Sequence, residues 1–281
     1  MSQRSAPEPV GGTFSPDGVL VSGLTLSIGG TVILDGVDLE VPPGQVTGLA
    51  GESGSGKTMT GMAICGLQPR NSVVDGSIRF GGRELVGMAE REINRLRGAE
   101  IAMIFQDPSA GLHPMISIQG QLTDHLRYHR RVSRSQARER AIELLEQVRV
   151  PDPAGALKRY PHQFSGGQLQ RISIAAALAC GPKVLIADEP TTALDVTVQA
   201  GVLRLLRDLC DDLGLAIILV THDLGVMSAV ADTVAVMRNG KVVENGRRYD
   251  VIRNPQHPYT KALIEALPDH QGRSDHKEAR S

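Results

Sequence analysis

The chain has 281 residues, of which 41% are hydrophobic and 22% are charged, a composition that excludes a disordered or fibrous protein. Thirty basic residues against 31 acidic ones give a formal net charge of -1. No overall field therefore attracts nucleic acid or anionic lipid, and any membrane association must come through protein partners.

Cysteine usage and hydropathy indicate a cytosolic protein. Cys65, Cys180 and Cys210 lie far apart and form no C-x-x-C pair, so we expect reduced thiols. The apolar runs are shorter than the roughly 20 residues that a membrane-spanning helix needs. The stretch 1–18 contains Ser, Pro and Gly without a continuous apolar segment, and we interpret it as a flexible arm rather than a secretory signal.

The first predicted elements are short strands. Apolar residues alternate in 24–26 and 37–41, and we expect tight turns at the Gly29-Gly30 and Asp35-Gly36 pairs. A further hairpin is predicted around Gly81-Gly82. These segments indicate a region of antiparallel strands near the start of the chain.

A largely helical segment follows, from about residue 108 to residue 177. Ser133 and Gln136 have the spacing of a capping box, which predicts the start of a helix. The residues that follow at helical intervals are apolar and predict one buried face: Ala137, Ala141, Leu144, Leu145 and Val148. We therefore expect a helical lobe inserted into a strand-rich core.

The apolar runs after this lobe predict buried parallel strands. Segments 184–187, 216–220 and 233–237 are continuously apolar, and 198–209 has the pattern of a crossover helix. The Asn239-Gly240 pair then predicts a tight hairpin turn. The sequence therefore indicates an α/β fold.

A glycine-rich segment lies between a predicted strand at 46–50 and a predicted helix at 58–67, as a phosphate loop requires. Because of this context we reject the alternative of a flexible turn. Lys57 would reach the β- and γ-phosphates of a nucleotide, and Thr58 would bind Mg²⁺. The expected nucleotide-binding residues are Gly51, Glu52, Ser53, Gly54, Ser55, Gly56, Lys57, Thr58 and Thr60.

Two carboxylates, Asp188 and Glu189, follow the predicted strand at 184–187. Such a pair alone is more often a solvated turn, but beside a phosphate loop it indicates phosphoryl transfer. We expect Asp188 to orient Mg²⁺ and Glu189 to polarise the attacking water.

The segment from Phe164 to Gln168 reads F-S-G-G-Q, and here the chain resembles the ABC ATPases over roughly 20–268. The resemblance implies a P-loop NTPase (RecA-like) core with an antiparallel β subdomain and an inserted α-helical subdomain. It also implies that the signature closes over the γ-phosphate of ATP held by a partner subunit. The signature residues that would make this contact are Ser165, Gly166, Gly167 and Gln168.

The same resemblance assigns three further residues. Gln106 is similar to the family's loop glutamine, which senses Mg²⁺ and water, Asp195 to its dimer-interface aspartate and His222 to its switch histidine, which contacts the γ-phosphate. One departure is Ile28, near the position where the family stacks adenine on an aromatic ring. We therefore expect modest selectivity for ATP over GTP, with Phe14 as the nearest alternative aromatic residue.

Segments 160–162, 187–197 and 254–263 resemble ATPases that serve oligopeptide, dipeptide and nickel importers. That branch implies an external solute-binding protein, two membrane permeases and a second related ATPase, with this chain at the cytoplasmic face of the membrane. Some relatives hold an iron–sulfur cluster in this tail, but because no cysteine follows Cys210 we expect none here.

The resemblance divides the chain into the arm 1–18, a nucleotide-binding domain at 19–248 with its helical subdomain at about 107–177, and a C-terminal extension at 249–281 whose end we expect to be disordered. A soluble ABC ATPase acting on ribosomes or DNA would share the catalytic residues, whereas a phosphate-loop kinase would leave the signature without a purpose. The solute stays open between dipeptide, oligopeptide and nickel, and the direction of transport is given only by the resemblance.

Overall fold

A computed structural model describes residue 15 and residues 17–109, 111–192 and 194–266. Most of the expected N-terminal arm, Phe14 and the end of the C-terminal extension lie outside these residues. The strands are β1 (Val19–Ile28), β2 (Thr31–Val41), β3 (Val46–Ala50), β4 (Ser72–Phe80), β5 (Arg83–Glu84), β6 (Ile101–Ile104), β7 (Val184–Asp188), β8 (Ala216–Thr221), β9 (Thr233–Arg238) and β10 (Lys241–Arg247). The helices are α1 (Lys57–Ile64), α2 (Glu90–Leu96), α3 (Ile118–Arg130), α4 (Arg134–Gln147), α5 (Pro153–Ala156), α6 (Gly166–Leu178), α7 (Val196–Leu213), α8 (Leu224–Val230), α9 (Arg248–Arg253) and α10 (Pro258–Glu265).

The central sheet has six strands in the order β10-β9-β3-β8-β7-β6. Strands β9, β3, β8, β7 and β6 pair in parallel, and β10 pairs antiparallel with β9 at one edge. Helix α7 connects β7 to the neighbouring β8 as the predicted crossover. The α/β class and the buried parallel strands predicted from the apolar runs are therefore confirmed.

Both faces of the central sheet are covered by apolar residues. In β7, Val184 and Ile186 belong to a core shared with the antiparallel strands, whereas Leu185 and Ala187 belong to a core shared with the helices. Because side chains alternate along a strand, a strand covered on both faces must be apolar at every position. This explains the continuous apolar runs in the sequence.

A second, antiparallel sheet has the order β2-β1-β4-β5. Its hairpins at Gly29-Gly30 and Gly81-Gly82 confirm the predicted turns. The turn expected at Asp35-Gly36 is wrong, because this pair lies inside β2. Leu24 faces Val37 while Leu26 faces Leu34, so β2 carries one extra residue at this point, and Gly36 supplies the positive φ of 70° at this bulge.

The lobe between β6 and β7 consists of α3, α4, α5, a single 3₁₀ turn at Pro161–Gln163 and α6. The capping box at the start of α4 is confirmed, because Ser133 and Gln136 exchange both hydrogen bonds. The predicted apolar face is confirmed as well: Ala137, Ala141, Leu144, Leu145 and Val148 are each 0% exposed.

The chain after the central strands returns to the sheet. Asn239 and Gly240 both have positive φ angles and connect β9 to β10 as predicted. Helices α9 and α10 follow and place Val251, Tyr259 and Ile264 in the core. Within the described part of the chain, no helix combines the length and apolar character needed to cross a bilayer.

Candidate functional site

The phosphate loop connects β3 to α1, and its backbone shape requires glycine. Gly51 has a φ of 144°, and a Cβ atom there would lie 2.2 Å from the carbonyl oxygen of Met237. Gly56 has a φ of 107° and would place a Cβ atom 2.8 Å from Leu34. Any other residue would meet both backbone strain and a steric clash at these two positions.

Lys57 is 5% exposed and folds back onto the loop. Its Nζ donates hydrogen bonds to the carbonyl oxygens of Gly51 and Glu52, each at 2.7 Å. Burial lowers the pKa of the Lys57 ammonium, and the carboxylates of Glu189 and Asp188 oppose this shift. The ammonium therefore lies at the centre of the loop, close to both carboxylates.

Thr58 and Asp188 join the loop to the end of β7. The Thr58 hydroxyl donates to Asp188 Oδ1 at 3.0 Å, although the two residues are 130 positions apart in sequence. Burial raises the pKa of Asp188, the hydrogen bond from Thr58 lowers it, and the neighbouring Glu189 raises it further, so the net shift is upward. A cation bound here would relieve this unfavourable burial of negative charge.

The Glu189 carboxylate joins three segments of the chain. Its backbone has a φ of 44°, a left-handed conformation that is strained for a glutamate and recurs at functional sites. Oε2 accepts from the Thr192 hydroxyl at 2.8 Å and from Gln106 Nε2 at 3.3 Å, and Oε1 lies 3.1 Å from His222 Nδ1. Burial alone would raise the pKa of Glu189, but the hydrogen bonds from His222 and Thr192 outweigh it and lower the pKa below its usual value.

These residues share one edge of the central sheet. The phosphate loop follows β3, Gln106 follows β6, Glu189 follows β7 and His222 follows β8. Parallel strands end at the same edge, and this carboxyl edge is where α/β proteins bind ligands. The fold therefore brings together the residues predicted as catalytic: Lys57, Gln106, Glu189 and His222.

The signature turn stands apart from this cluster. Ser165 caps α6, and Ser165 and Gln168 exchange a reciprocal pair of hydrogen bonds. Gly167 lies against α7, because a Cβ atom there would be 2.4 Å from Val198 Cγ1. Asp195 caps α7 by accepting from the Val198 amide at 2.9 Å.

Ser165, Gly166 and Asp195 are exposed. Within the described ranges, no hydrogen bond joins the signature turn 165–168 to the phosphate loop 51–58. The N-terminus of α6 is therefore a capped and exposed helix start, of the kind that can bind an anion, without a hydrogen bond to the phosphate loop in the described residues.

Thr60, one of the expected nucleotide-binding residues, has its side chain in the core. Its side chain is 0% exposed, and its hydroxyl donates to the Gly56 carbonyl oxygen at 3.1 Å and to Met237 Sδ at 3.7 Å. Residues two positions apart in a helix point about 200° away from each other. Because Thr58 faces the site, Thr60 faces the core.

Two contacts of the site were not predicted from the sequence. Thr192 donates to Glu189, and the amide of Glu52 donates to the Tyr259 hydroxyl at 3.0 Å. Thr192 follows Glu189 by three residues, so this contact could have been predicted from the spacing. Tyr259 lies 207 positions from Glu52, and no local pattern reports this contact.

Comparison with known sequences identifies relatives that match most of the chain. A family profile described as ABC transporter matches residues 34–192, and one described as oligopeptide/dipeptide transporter, C-terminal region, matches residues 243–281. The oligopeptide transport ATP-binding protein AppD of Bacillus subtilis (strain 168) is 46% identical over 244 residues, which are 86% of this chain and 74% of AppD. The dipeptide transport ATP-binding protein DppD of the same organism is 48% identical over 243 residues, which are 85% of this chain and 72% of DppD.

Solved structures give the same result. The bacterial ABC transporter cassette MJ0796, in its dimeric structure, is 27% identical with a TM-score of 0.71, and the match covers 82% of this chain and 98% of that one. CbiO1 of Clostridium perfringens, part of the ABC transporter complex cbiONQ, is 25% identical with a TM-score of 0.74 and covers 92% and 98%. MJ0796 has also been solved in a post-hydrolysis state with ADP and Pi. The chain therefore belongs to the ABC transporter family, as one of its ATP-hydrolysing ATP-binding subunits.

Proposed function

We propose that residues 51–58 bind ATP with Mg²⁺, that Glu189 activates the attacking water, and that the energy released drives peptide uptake through partner permeases. The observation that supports this most directly is the contact set of Glu189. One carboxylate at the end of β7 touches Gln106, Thr192 and His222, beside the buried Lys57. A solvated turn would need none of these contacts.

The residues beside the loop fit Mg²⁺. Thr58 and Asp188 present hard oxygen atoms within 3.0 Å of each other, and the raised pKa of Asp188 reflects buried negative charge. The part of the chain that the structure describes contains no cluster of three or more His, Cys, Asp or Glu residues that could hold a metal alone. This suits Mg²⁺, which proteins hold through one or two ligands together with substrate phosphates. We propose Thr58, Asp188 and Gln106 as the residues around it, where it would neutralise phosphate charge.

The hydrolytic step is phosphoryl transfer from ATP to water. The lowered pKa of Glu189 keeps its carboxylate ionised at neutral pH, so it can accept a proton from the water as the oxygen attacks the γ-phosphate. Gln106 and His222 hold the two carboxylate oxygens and so fix the direction of the base. Lys57 would leave the loop carbonyls and bind the β- and γ-phosphates, where its charge stabilises the transition state.

A second subunit would complete the site. The signature residues 165–168 are held in shape by a capping box, and within the described part of the chain they make no hydrogen bond to the phosphate loop 51–58. Next to Asp195, the apolar side chain of Val196 is 81% exposed, as expected for a surface that another protomer covers. We propose that Ser165, Gly166, Gly167 and Gln168 close over ATP held by the partner, with Asp195 in the interface.

The solute and the other partners follow from the relatives. AppD and DppD are named as oligopeptide and dipeptide transport ATP-binding proteins, and the profile described as oligopeptide/dipeptide transporter, C-terminal region, matches residues 243–281 here. We propose the same solute class for this chain. The assembly would contain two permeases, a second and related ATPase and an external binding protein, with this chain at the cytoplasmic face of the membrane.

Each proposed domain would have its own role in the cycle of ATP binding and hydrolysis. The nucleotide-binding domain at 19–248 would close on its partner when ATP binds, and the helical subdomain at about 107–177 would transmit this motion to the permeases. The extension at 249–281 would pack on the core through α9 and α10. Hydrolysis would then reset the assembly.

Purification from membranes tests this proposal. The chain should co-purify with a permease pair, and peptides should be identified on the associated binding protein by mass spectrometry. Recovery of the chain with ribosomes or DNA, and without permeases, would favour the soluble ABC ATPases instead.

A further inference from the structure

We propose that Tyr259 is a positioning residue of the nucleotide site, which it reaches from the C-terminal extension through the backbone of Glu52. This inference rests on the proposed ATP site at residues 51–58. The C-terminal extension would then stabilise the conformation of the phosphate loop in addition to packing on the core.

The contact itself is between a side chain and the loop backbone. The Glu52 amide donates to the Tyr259 hydroxyl oxygen at 3.0 Å, and Tyr259 is only 6% exposed. The amide of Glu52 is therefore directed toward α10 and away from the centre of the loop. A hydrogen bond to a buried side chain fixes a peptide plane far more firmly than one to water does, because the partner cannot exchange.

Tyr259 is held in place from two sides. The Arg238 guanidinium lies over the Tyr259 ring, 4.8 Å from its centroid. The carboxylate of Glu244 accepts hydrogen bonds from the amides of Gln256 and His257, at 2.7 and 3.1 Å, immediately before α10 begins. These contacts hold the start of α10 and the Tyr259 ring, and so they hold the hydroxyl beside the Glu52 amide.

A second hydrogen bond from a distant segment also supports the loop. The Gly240 amide donates to the Ser55 carbonyl oxygen at 2.9 Å, so the turn between β9 and β10 supports the middle of the loop. Tyr259 supports its beginning. These two braces come from sequence segments far from the loop, and they converge on it through β9 and β10.

The brace from Tyr259 gains importance when nucleotide binds. Lys57 now holds the carbonyl oxygens of Gly51 and Glu52, and these bonds are lost when its ammonium turns to the phosphates. The Tyr259 hydroxyl then remains on the amide of Glu52, while the carbonyl oxygen of Glu52 keeps its hydrogen bond from the Ser55 amide at 3.2 Å. Removing it should weaken ATP binding more than it slows the chemical step.

Titration of the full-length chain with a fluorescent ATP analogue tests the inference. Tyr259→Phe removes the hydroxyl and keeps the ring on Arg238, and we expect the dissociation constant to rise about three- to tenfold, the usual worth of one hydrogen bond. Tyr249→Phe is the matched control, because Tyr249 also packs against arginine side chains but is 58% exposed. That variant should bind like the wild type.

Two further measurements separate positioning from structure. In the assembled transporter, Tyr259→Phe should raise the KM for ATP with little change in kcat, and its melting temperature should stay close to that of the wild type. Unchanged affinity and KM, or a fall in kcat and melting temperature alone, would overturn the inference. Lys57→Ala should abolish binding, and if it does not, the proposed site itself is wrong.

Discussion

Replacing Glu189 by Gln is the sharpest change that the proposed chemistry allows. The side chain keeps its size, and its amide oxygen can still accept from Thr192. Two properties disappear: the ability to take a proton, and the negative charge, which the hydrogen bonds from His222 and Thr192 favour by lowering the pKa of Glu189. The fold and the phosphate loop are untouched.

The size of the effect follows from the role. A positioned general base contributes about 10²- to 10⁴-fold to a rate, which equals about 2.7 to 5.4 kcal/mol of transition-state stabilisation. We expect the turnover of Glu189→Gln to fall by this factor. ATP should bind at least as tightly as before, because a negative charge beside the γ-phosphate has been removed.

The assay is phosphate release by the assembled transporter, together with ATP binding and size-exclusion chromatography. Glu189→Gln should bind ATP, release almost no phosphate and accumulate as a closed pair of ATPase subunits. Glu84→Gln is a suitable control, because Glu84 is also a hydrogen-bonded carboxylate with a lowered pKa but lies on the antiparallel sheet. Wild-type turnover in Glu189→Gln would refute the role of Glu189 as the base.

Three further predictions concern packing, acid stability and base recognition. Gly167→Ala should destabilise the chain by about 1–3 kcal/mol through overlap with Val198, and adding Val198→Ala should recover part of that loss in thermal unfolding. Burial raises the pKa of Glu244 in the folded chain. Its hydrogen bonds, which include those from the amides of Gln256 and His257, outweigh burial, so the net shift of the pKa is downward. Its stabilisation is therefore present above the unfolded-state pKa and lost as pH falls through the folded-state value. Glu244→Gln should cost about 1 kcal/mol at pH 7 after allowance for solvent screening, and almost nothing in acid, as denaturant titrations at both pH values would show. The chain should discriminate only modestly between ATP and GTP, and Ile28→Tyr should tighten ATP binding about fivefold or more through base stacking; a large preference for ATP in the wild type would contradict this.

The sequence was most informative where a pattern has one physical cause. The runs at 184–187 and 216–220 are apolar at every position because both faces of their strands are covered, so buried parallel strands were predictable. Asp35-Gly36 was misleading, because a glycine with positive φ serves a bulge as well as a turn. Strand β6, at one edge of the central sheet, was not predicted, since a run of four residues is too short to show a clear pattern.

In the candidate site, too, some features could be predicted from the sequence and others could not. The phosphate loop and the two carboxylates could be predicted because each occupies a fixed place relative to its own strand. The burial of the Thr60 side chain could not be predicted, because proximity in sequence does not tell which side of a helix a residue faces. The contact of Tyr259 with Glu52 could not be predicted, because it depends on how the chain returns to the loop after 207 residues.

The central claim is that ATP is held between the Lys57 loop of one subunit and the Ser165 turn of another. It is tested by measuring phosphate release from the purified chain, shown to be monomeric by sedimentation, and from the assembled transporter, each with and without Ser165→Arg. We predict that the monomer is slower than the assembly by at least about a hundredfold, because half of the site is missing, and that Ser165→Arg inhibits only the assembly. Turnover by the monomeric Ser165→Arg variant at the rate of the intact transporter would contradict the claim.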